Sequence, residues 1–410
     1  MFQHLVPGAL PVASSPGGWL SPSRRRPRRP PSSNGSGTSS ARPIQATRAC
    51  AGWHSAPEAA RRCRGREARA AVAEALADAL GRERADALRA ALSDALEARG
   101  GLTPCVPGAF PRFASVGGLT ATISVIHASD PGCPWAWSAA PHHAVLHWRY
   151  GGQLSWRLAL IGLAERAEDY AARGSTPVGG ALGYLGFRRF GMPFDTQPRK
   201  RTIGTGRACR AIVAARLLDP HAEQPVFRAL QLARFTTSAP FDTDDGIRSA
   251  LANVPRLDLD AVLATLDDPA TEAAYQVDRA LVRSASGSPT EFQGKAADTD
   301  GAVRYTAPSL IFDHRDGRRL EAGGFQPVEA YDVVIANLDT TLDRRPPGED
   351  VLEILDEFPY PLTTREVAAV MAAPLVAPDD HAAERSLIES AGAGAVRRES
   401  VGGGALWHLT

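Results

Sequence analysis

The 410-residue sequence contains only five cysteines, and they are far apart along the chain. No two of them lie within four positions, so the sequence has neither a Cys-x-x-Cys pair nor the spacing of a zinc site. A sparse, odd set of cysteines favours a reducing compartment. No apolar run reaches the roughly 18 residues of a membrane span, and residues 1–20 do not have the pattern of a secretory signal. We therefore expect a cytoplasmic protein without a membrane partner. The cysteines are Cys50, Cys63, Cys105, Cys133 and Cys209.

Two common catalytic motifs are also missing. The glycine-rich stretches Gly179–Gly183 and Gly204–Gly206 do not end in the Lys-Ser/Thr pair of a phosphate-binding loop, and neither follows a clear strand. The Gly-x-Ser-x-Gly elbow of serine hydrolases does not occur. The sequence therefore gives no support to a P-loop nucleotide hydrolase or a serine hydrolase.

Charge is divided unevenly along the chain. Residues 1–115 carry 17 arginines and no lysine against eight acidic residues, whereas the remainder has a net charge of −8. Residues 1–55 are rich in Pro, Ser, Gly and Arg, and residues 57–99 are rich in Ala, Arg and Glu. Residues 1–118 are therefore predicted to be a disordered basic extension, with helices expected only at 57–99. A nucleic-acid-binding arm is one interpretation, and a dispensable tail is the simpler one. The acidic remainder argues against nucleic acid as a partner.

After Leu119 the pattern becomes that of an ordered α/β domain. Thr120–Ala128 alternates and is rich in β-branched residues, which predicts a strand, and Leu154–Leu163 predicts a second one. A helical stretch between them is expected to end at Gly151-Gly152. Because two strands joined through a helix pair in parallel, the sequence predicts a βαβ unit with a right-handed crossover.

Residues 164–303 are predicted to be mainly helical, and a second αβ pattern follows them. Ala302–Phe312 has the composition of a strand and contains Pro308. A turn around Asp316-Gly317 leads to the return strand Arg319–Gly323 and to the helix Pro327–Leu338. The helices expected in the long segment are Arg207–Leu218, Val226–Phe235, Asp244–Asn253, Leu259–Leu266 and Pro269–Ser284.

Residues 348–410 have the order helix, helix, glycine-tipped hairpin, which is typical of a small winged-helix-like module. Thr363 is a candidate helix cap, with Glu366 as its partner three residues later. The second helix, Asp380–Ser390, would be the recognition helix, but it is mainly acidic. Because duplex binding needs several phosphate-contacting cations, an interaction or packing role is the better interpretation than DNA binding.

The chemistry of the sequence centres on Cys133, at the junction of the first strand and the following helix. Free N–H groups and the helix dipole at such a position stabilise a thiolate, so a lowered pKa is expected. Pro134 suits the first helical turn, and Trp135, between Cys133 and Ala136, is the best candidate for an exposed contact near the sulfur. Far downstream, Thr306-Ala307-Pro308 opens a strand, and Pro308 is a candidate for a cis peptide bond.

These features resemble the DsbA-like branch of the thioredoxin superfamily over about residues 119–340. The resemblance rests on Cys133-Pro134-Trp135, the helical insertion, the Thr306-Ala307-Pro308 strand and the final ββα unit. It implies an α/β protein with a thioredoxin fold and an α-helical insertion at about 164–303. It also implies that Pro308 packs beside Cys133, and that Thr306 and Ala307 present backbone groups to an extended substrate.

One departure from the family is important. Where DsbA-like oxidoreductases carry a second cysteine, this sequence has Ala136, so no disulfide can form within the motif. The chemistry that remains is that of a single thiol, with Cys133 attacking a disulfide or forming a mixed disulfide with a small thiol. Glutathione or another low-molecular-weight thiol is a candidate co-substrate, and no metal or prosthetic group is required. The substrate would be a thiol or disulfide of a protein or a small molecule.

Other interpretations stay open at this stage. Kappa-class glutathione transferases and chromene-carboxylate isomerases use the same helix N-terminus but usually have serine in place of Cys133. A binding protein that keeps the thioredoxin cleft without catalysis is a further alternative. Cys209 is a candidate resolving cysteine, although most single helix cysteines are buried packing residues.

Two further groups of residues have a functional and a structural interpretation. His142, His143 and His147 resemble a metal cluster, but no carboxylate or nearby cysteine completes it. Asp130 could modulate Cys133, although a turn or capping role is the simpler explanation.

Overall fold

The structure is a computed structural model that describes residues 121–298 and 301–410. The predicted extension over 1–118, with its helices at 57–99, lies outside the described residues, as do Cys50, Cys63 and Cys105. Among the described helices, none combines the length and apolar character needed to cross a bilayer.

The described part begins with the predicted βαβ unit. A short helix that starts at the cysteine motif is separated from a longer helix by Ala139, and Gly151 ends the longer helix with φ of +51°. The two strands pair in parallel, from Ile123 with Leu154 to Ser129 with Leu160, as predicted. The elements are β1 Ile123–Ser129, α1 Pro134–Ser138, α2 Ala140–Tyr150 and β2 Leu154–Leu160.

The insertion that follows is helical. The five helices predicted from the sequence are all present, and two more, α3 and α4, precede them. A buried core that includes Ile212, Leu230 and Tyr275 joins the longer helices. The helices are α3 Ala167–Ala172, α4 Pro177–Phe187, α5 Gly206–Leu218, α6 Glu223–Thr236, α7 Asp244–Leu251, α8 Leu259–Ala264, α9 Pro269–Val282 and α10 Pro289–Phe292.

The chain then returns to the sheet through two pairs of strands. The first pair forms a separate short ribbon, and the second is the predicted hairpin, whose turn contains Gly317 with φ of +94°. A helix follows at the predicted place. The elements are β3 Ala296–Ala297, β4 Arg304–Tyr305, β5 Ser309–His314, β6 Arg319–Ala322 and α11 Val328–Leu338.

The central sheet has the strand order β2-β1-β5-β6. β1 is parallel to β2 and antiparallel to β5, and β5 is antiparallel to β6. This βαβ unit followed by a ββα unit is the thioredoxin fold, as the sequence predicts. One face of β1 packs through Val125 against α2 and α11, and the other packs through Ala128 against Leu281 and Val282 at the end of α9. Both faces of the sheet are thus covered by helices, which is the arrangement expected for parallel strands.

Residues 351–409 form a smaller set of helices and strands that packs on α2. Thr363 and Glu366 make the predicted capping box. Ala144, Val145 and Trp148 of α2 share a buried core with this part of the chain, in which Trp407 is fully buried. The elements are α12 Val351–Asp356, β7 Leu362–Thr363, α13 Thr364–Met371, α14 Asp380–Gly392, β8 Val396–Val401 and β9 Gly404–Leu409, and the sheet order is β7-β9-β8.

Candidate active site

Cys133 lies at the start of α1, where the sequence places it. The residue caps the helix in an extended conformation, and Pro134 occupies the first helical position. A turn holds it there, because the N–H of Cys133 donates to the carbonyl oxygen of Asp130 at 3.1 Å. A side chain on Gly132 would come within 2.5 Å of Thr205, so glycine is required where this turn approaches the insertion.

The motif faces the loop that contains Pro308. The Sγ atom of Cys133 donates a hydrogen bond to the carbonyl oxygen of Ala307 at 3.3 Å. The Ala307–Pro308 peptide bond is cis. Thr306 is held by its Oγ1, which donates to the carbonyl oxygen of Lys295 at 2.7 Å. The structure therefore brings together the two distant segments that the sequence singled out.

The expected lowering of the Cys133 pKa is wrong. The residue is only 5% exposed, and burial raises the pKa of its thiol to about 12. The N–H groups of Ala136 and Trp135 act in the opposite direction, while the charge of Asp130 raises the pKa further. The helix N-terminus contributes too little because α1 has only five residues and the thiolate would be removed from water. Cys133 is thus a protonated thiol in this structure.

Asp130 has the turn-forming role that was the simpler interpretation. Its carboxylate accepts hydrogen bonds from the N–H of Gly132 and the N–H of Leu163, both at 2.7 Å, and from Oγ1 of Thr205 at 3.0 Å. Burial nevertheless raises its pKa. The carboxylate therefore ties the cysteine turn to β2 and to the start of α5. The sequence could not show this, because Thr205 has no distinguishing local pattern.

Cys209 reaches the same carboxylate from the insertion. It lies in α5, is fully buried, and its Sγ is 3.8 Å from Oδ2 of Asp130. Burial raises the pKa of this thiol as well. Both Cys133 and Cys209 are free thiols. The position is that of a packing residue, which was the simpler interpretation of a single helix cysteine.

Trp135 covers the site together with aromatic residues from two distant segments. Its ring centroid lies 4.9 Å from that of Phe187 and 5.6 Å from those of Phe190 and Phe325. Trp135 itself is half-buried and packs on the cluster that contains Cys133. The sequence predicted a contact role for Trp135 but not its partners. The only local signal was the spacing of Phe187 and Phe190 at the end of the glycine-rich α4 and just after it.

The histidines of α2 do not assemble a metal site. Within the described residues, no group of three His, Cys, Asp or Glu side chains has an arrangement that could hold a metal ion. His142 instead contacts the carbonyl oxygen of Gln326 at 2.8 Å. His143 and His147 face His127 of β1 and Trp156 of β2, a neighbour set that the sequence did not predict.

Comparison with known proteins gives structural likeness only. No protein-family model and no curated protein matches the sequence. Among solved structures, the cytosolic disulfide reductase DsbM from Pseudomonas aeruginosa is 19% identical, with 53% of this chain and 100% of that chain covered at a TM-score of 0.39. DsbM has also been solved with GSH. A probable DsbA oxidoreductase from Streptomyces coelicolor is 17% identical, with 56% and 94% covered at a TM-score of 0.39. These solved structures are DsbA-like disulfide oxidoreductases. The fold of this chain is established by its own strand order and pairing.

Proposed function

We propose that this chain is a thiol–disulfide oxidoreductase-like protein that acts through a single thiol, that of Cys133. The observation that carries the proposal is the 3.3 Å contact between Sγ of Cys133 and the carbonyl oxygen of Ala307. The contact supports the proposal because the proposed nucleophile then lies against the loop that would hold an extended substrate beside Pro308. Pro134 and Trp135 form the neighbouring surface on the helix side.

The proposed reaction is disulfide exchange. The thiolate of Cys133 attacks one sulfur of a substrate disulfide, a new S–S bond forms, the old S–S bond breaks, and the second sulfur leaves as a thiolate. Ala136 cannot resolve the mixed disulfide, so a thiol from solution must do so by a second exchange that releases Cys133. Glutathione or another low-molecular-weight thiol is the proposed co-substrate. A reducing compartment such as the cytoplasm would supply it.

The raised pKa of the Cys133 thiol determines how reactive this thiol is before a substrate binds. Because burial raises the pKa of the Cys133 thiol, far less of it is ionised at pH 7 than the few per cent expected of an unperturbed thiol. Exchange in this state is therefore slow. Catalysis therefore requires that the thiol be exposed to water. Exposure would occur when substrate binds or when Trp135 moves away from Phe187, Phe190 and Phe325.

A second candidate function follows from the same observation. Because Cys133 is shielded and Ala136 removes the second thiol, the fold could hold a peptide or a small thiol without chemistry. A kappa-class-like glutathione transferase or isomerase is a weaker alternative, since its activating helix N-terminus should depress the thiol pKa. The two main candidates differ in whether a mixed disulfide forms at Cys133.

The deciding experiment is the pH dependence of Cys133 alkylation, followed by mass spectrometry with Cys133→Ser as the control. It is run with and without oxidised glutathione. Formation of a Cys133–glutathione disulfide at neutral pH supports the single-thiol enzyme. Complete absence of modification, in protein shown to be folded, supports the binding protein.

We propose a packing or interaction role for the winged-helix-like module at 348–410. The two arginines on β8 do not offer free positive charge, because Arg397 lies 3.4 Å from Glu399 and Arg398 lies 3.6 Å from Glu384. Asp380 and Glu384 add negative charge to α14. This charge pattern favours a protein surface as the partner over a phosphate backbone.

A further inference from the structure

A small polar cavity lies where three parts of the chain meet. Its volume is about 40 Å³. β1 and α2 of the thioredoxin fold, α6 of the insertion and the C-terminal module all contribute to its wall. We call it the histidine cavity, and its defining residues are His127, His143, His147, Arg228, Tyr360 and Glu366.

The histidine cavity contains polar atoms that no protein group satisfies. Within the described residues, Nε2 of His127 and Nε2 of His143 are buried without a hydrogen-bond partner, and so is Nε1 of Trp156. His127 and His143 are each more than nine-tenths buried. The volume is enough for about two or three water molecules. The cavity is therefore too small for an organic ligand.

The three histidine rings are close enough to interact. The ring centroids of His127 and His143 are 4.5 Å apart, and the ring of His147 stacks on Trp156 at 4.3 Å. Burial lowers the pKa of His127 to about 3 and that of His147 to about 4, and it lowers the pKa of His143 as well. The rings are thus neutral in the closed structure.

The charged groups around these rings do not stabilise an additional positive charge on them. Arg228 brings a permanent positive charge, and its guanidinium is already paired with Glu366 at 2.5 Å. It also lies over the rings of Trp137 and Tyr360. Other titratable or charged groups facing the cluster from the packed elements are His142, Tyr331, Arg365 and Glu329. Among the described residues that line the cavity, the one carboxylate is that of Glu366, and it is already paired with Arg228 rather than with an imidazole.

α2 connects the histidine cavity to the C-terminal module. His143 and His147 line the cavity, while Ala144, Val145 and Trp148 of the same helix enter the module's core. The ring of His147 also lies 6.3 Å from that of Phe358. Full hydration of a protonated His143 ring, which is more than nine-tenths buried, would therefore require the helix and the module to separate.

We propose that the histidine cavity is an acid-sensitive latch, in which proton uptake by His127, His143 and His147 opens the contact between α2 and the C-terminal module. The open form exposes the imidazoles, whose ordinary pKa is about 6.5. It therefore binds more protons than the closed form. The latch is fully closed above about pH 6.5 and weakens as the pH falls towards 4. Uptake of one proton changes the equilibrium constant for opening by up to tenfold per pH unit. Uptake by all three histidines therefore changes it by up to about a thousandfold per pH unit.

The test is hydrogen–deuterium exchange of the full chain between pH 7.5 and 4.5, corrected for the intrinsic pH dependence of exchange. We expect peptides from α2 and from 351–409 to lose protection below about pH 5.5 while β1 and β5 stay protected. His147→Gln should reduce the steepness of opening by up to one proton. His381→Gln, which changes an exposed histidine on α14, should leave it unchanged. Protection of 351–409 that persists to pH 4.5 would overturn the proposal.

A measurement on the unmodified protein covers the case in which His147→Gln does not fold. Nitrogen–proton NMR correlations report the protonation of each imidazole directly. The proposal requires His127, His143 and His147 to remain neutral until the module opens. Titration of all three near pH 6.5 in protein whose module is still protected would contradict it. The result is independent of any thiol chemistry at Cys133.

Discussion

The thiol of Cys133 donates a hydrogen bond to the backbone carbonyl oxygen of Ala307, 3.3 Å away and 174 positions later in the chain. This bond joins the motif on α1 to the loop that leads into β5. It needs the sulfur to keep its proton, which agrees with the raised pKa of the thiol. The same contact therefore positions Cys133 for substrate and holds it in its unreactive form.

Ala136→Cys should restore a disulfide within the motif. Ala136 is buried one helical turn after Cys133 and lines the histidine cavity, so there is space beside it for a sulfur atom. We expect oxidation of this variant to remove two thiols, and we expect its reduced form, recycled by dithiothreitol, to reduce disulfides at least tenfold faster than the natural protein. Thiol titration and turbidimetric insulin reduction measure both quantities.

Ala136→Ser is the matched control, because it has nearly the same volume and cannot form a disulfide. It should leave thiol count and activity unchanged. If Ala136→Cys keeps both thiols after oxidation, the two positions do not approach each other as the structure shows.

Much of the fold follows from local sequence patterns. The alternation before Cys133, the glycines after Tyr150 and the Asp316-Gly317 turn each act within a few residues, and each predicted its element. Thr363 and Glu366 predicted a helix start because a capping box is a contact between residues three apart. Such signals need no knowledge of distant chain segments.

The properties of the candidate site were harder to predict because they depend on distant segments. Burial raises the Cys133 pKa, and Trp135, which packs on the cluster around Cys133, is itself in contact with Phe187, Phe190 and Phe325. The sequence of the motif alone showed only the helix N-terminus, which acts in the other direction. α4 was missed because its glycines disrupt the helical pattern.

Trp135→Ala should uncover Cys133. Removal of the ring opens the aromatic cover and lets water reach the sulfur, so the thiol pKa should fall towards its ordinary value of about 8.5. We expect alkylation at pH 8 to accelerate at least tenfold, measured under pseudo-first-order conditions. Phe292→Ala is the control, since that ring is 94% exposed and covers nothing. Equal rates in the two variants would show that burial of Cys133 does not depend on Trp135.

Asp130→Asn should lower the pKa of Cys133 and also destabilise the fold. Loss of the negative charge removes one cause of the raised thiol pKa, so alkylation should become several-fold faster. The amide cannot accept all three hydrogen bonds that the carboxylate accepts, and an unsatisfied buried donor costs about 1–3 kcal/mol. Urea denaturation and the alkylation rate are the measurements.

Asp219→Asn provides the comparison for Asp130→Asn. Asp219 makes the same kind of turn, accepting from the N–H of His221 at 2.9 Å, but on the surface. Its replacement should change neither stability nor alkylation by a measurable amount. A slower reaction of Cys133 in Asp130→Asn would mean that the carboxylate assists the thiol, contrary to the sign inferred here.

Arg228→Met should cost about 3–5 kcal/mol of unfolding free energy, because it leaves the carboxylate of Glu366 buried without its cation. Arg228→Met with Glu366→Gln should recover most of that loss. The glutamine removes the unpaired charge and can still serve as the capping-box partner of Thr363. The double-mutant cycle is completed by urea denaturation, followed by circular dichroism, of the natural protein, the two single variants and the double variant.

The reference for this cycle is the surface pair Arg248–Asp260, whose charged atoms are 2.7 Å apart with both side chains more than half exposed. Arg248→Met should cost less than about 1 kcal/mol, since water and salt screen an exposed pair. Because the charged atoms of the two pairs have similar separations, a larger cost of Arg228→Met than of Arg248→Met would be due to burial. If Arg228→Met were equally mild, Glu366 would have to reach water. The C-terminal module would then be packed less closely on α6 than the structure shows, and the histidine cavity would lose one of its walls.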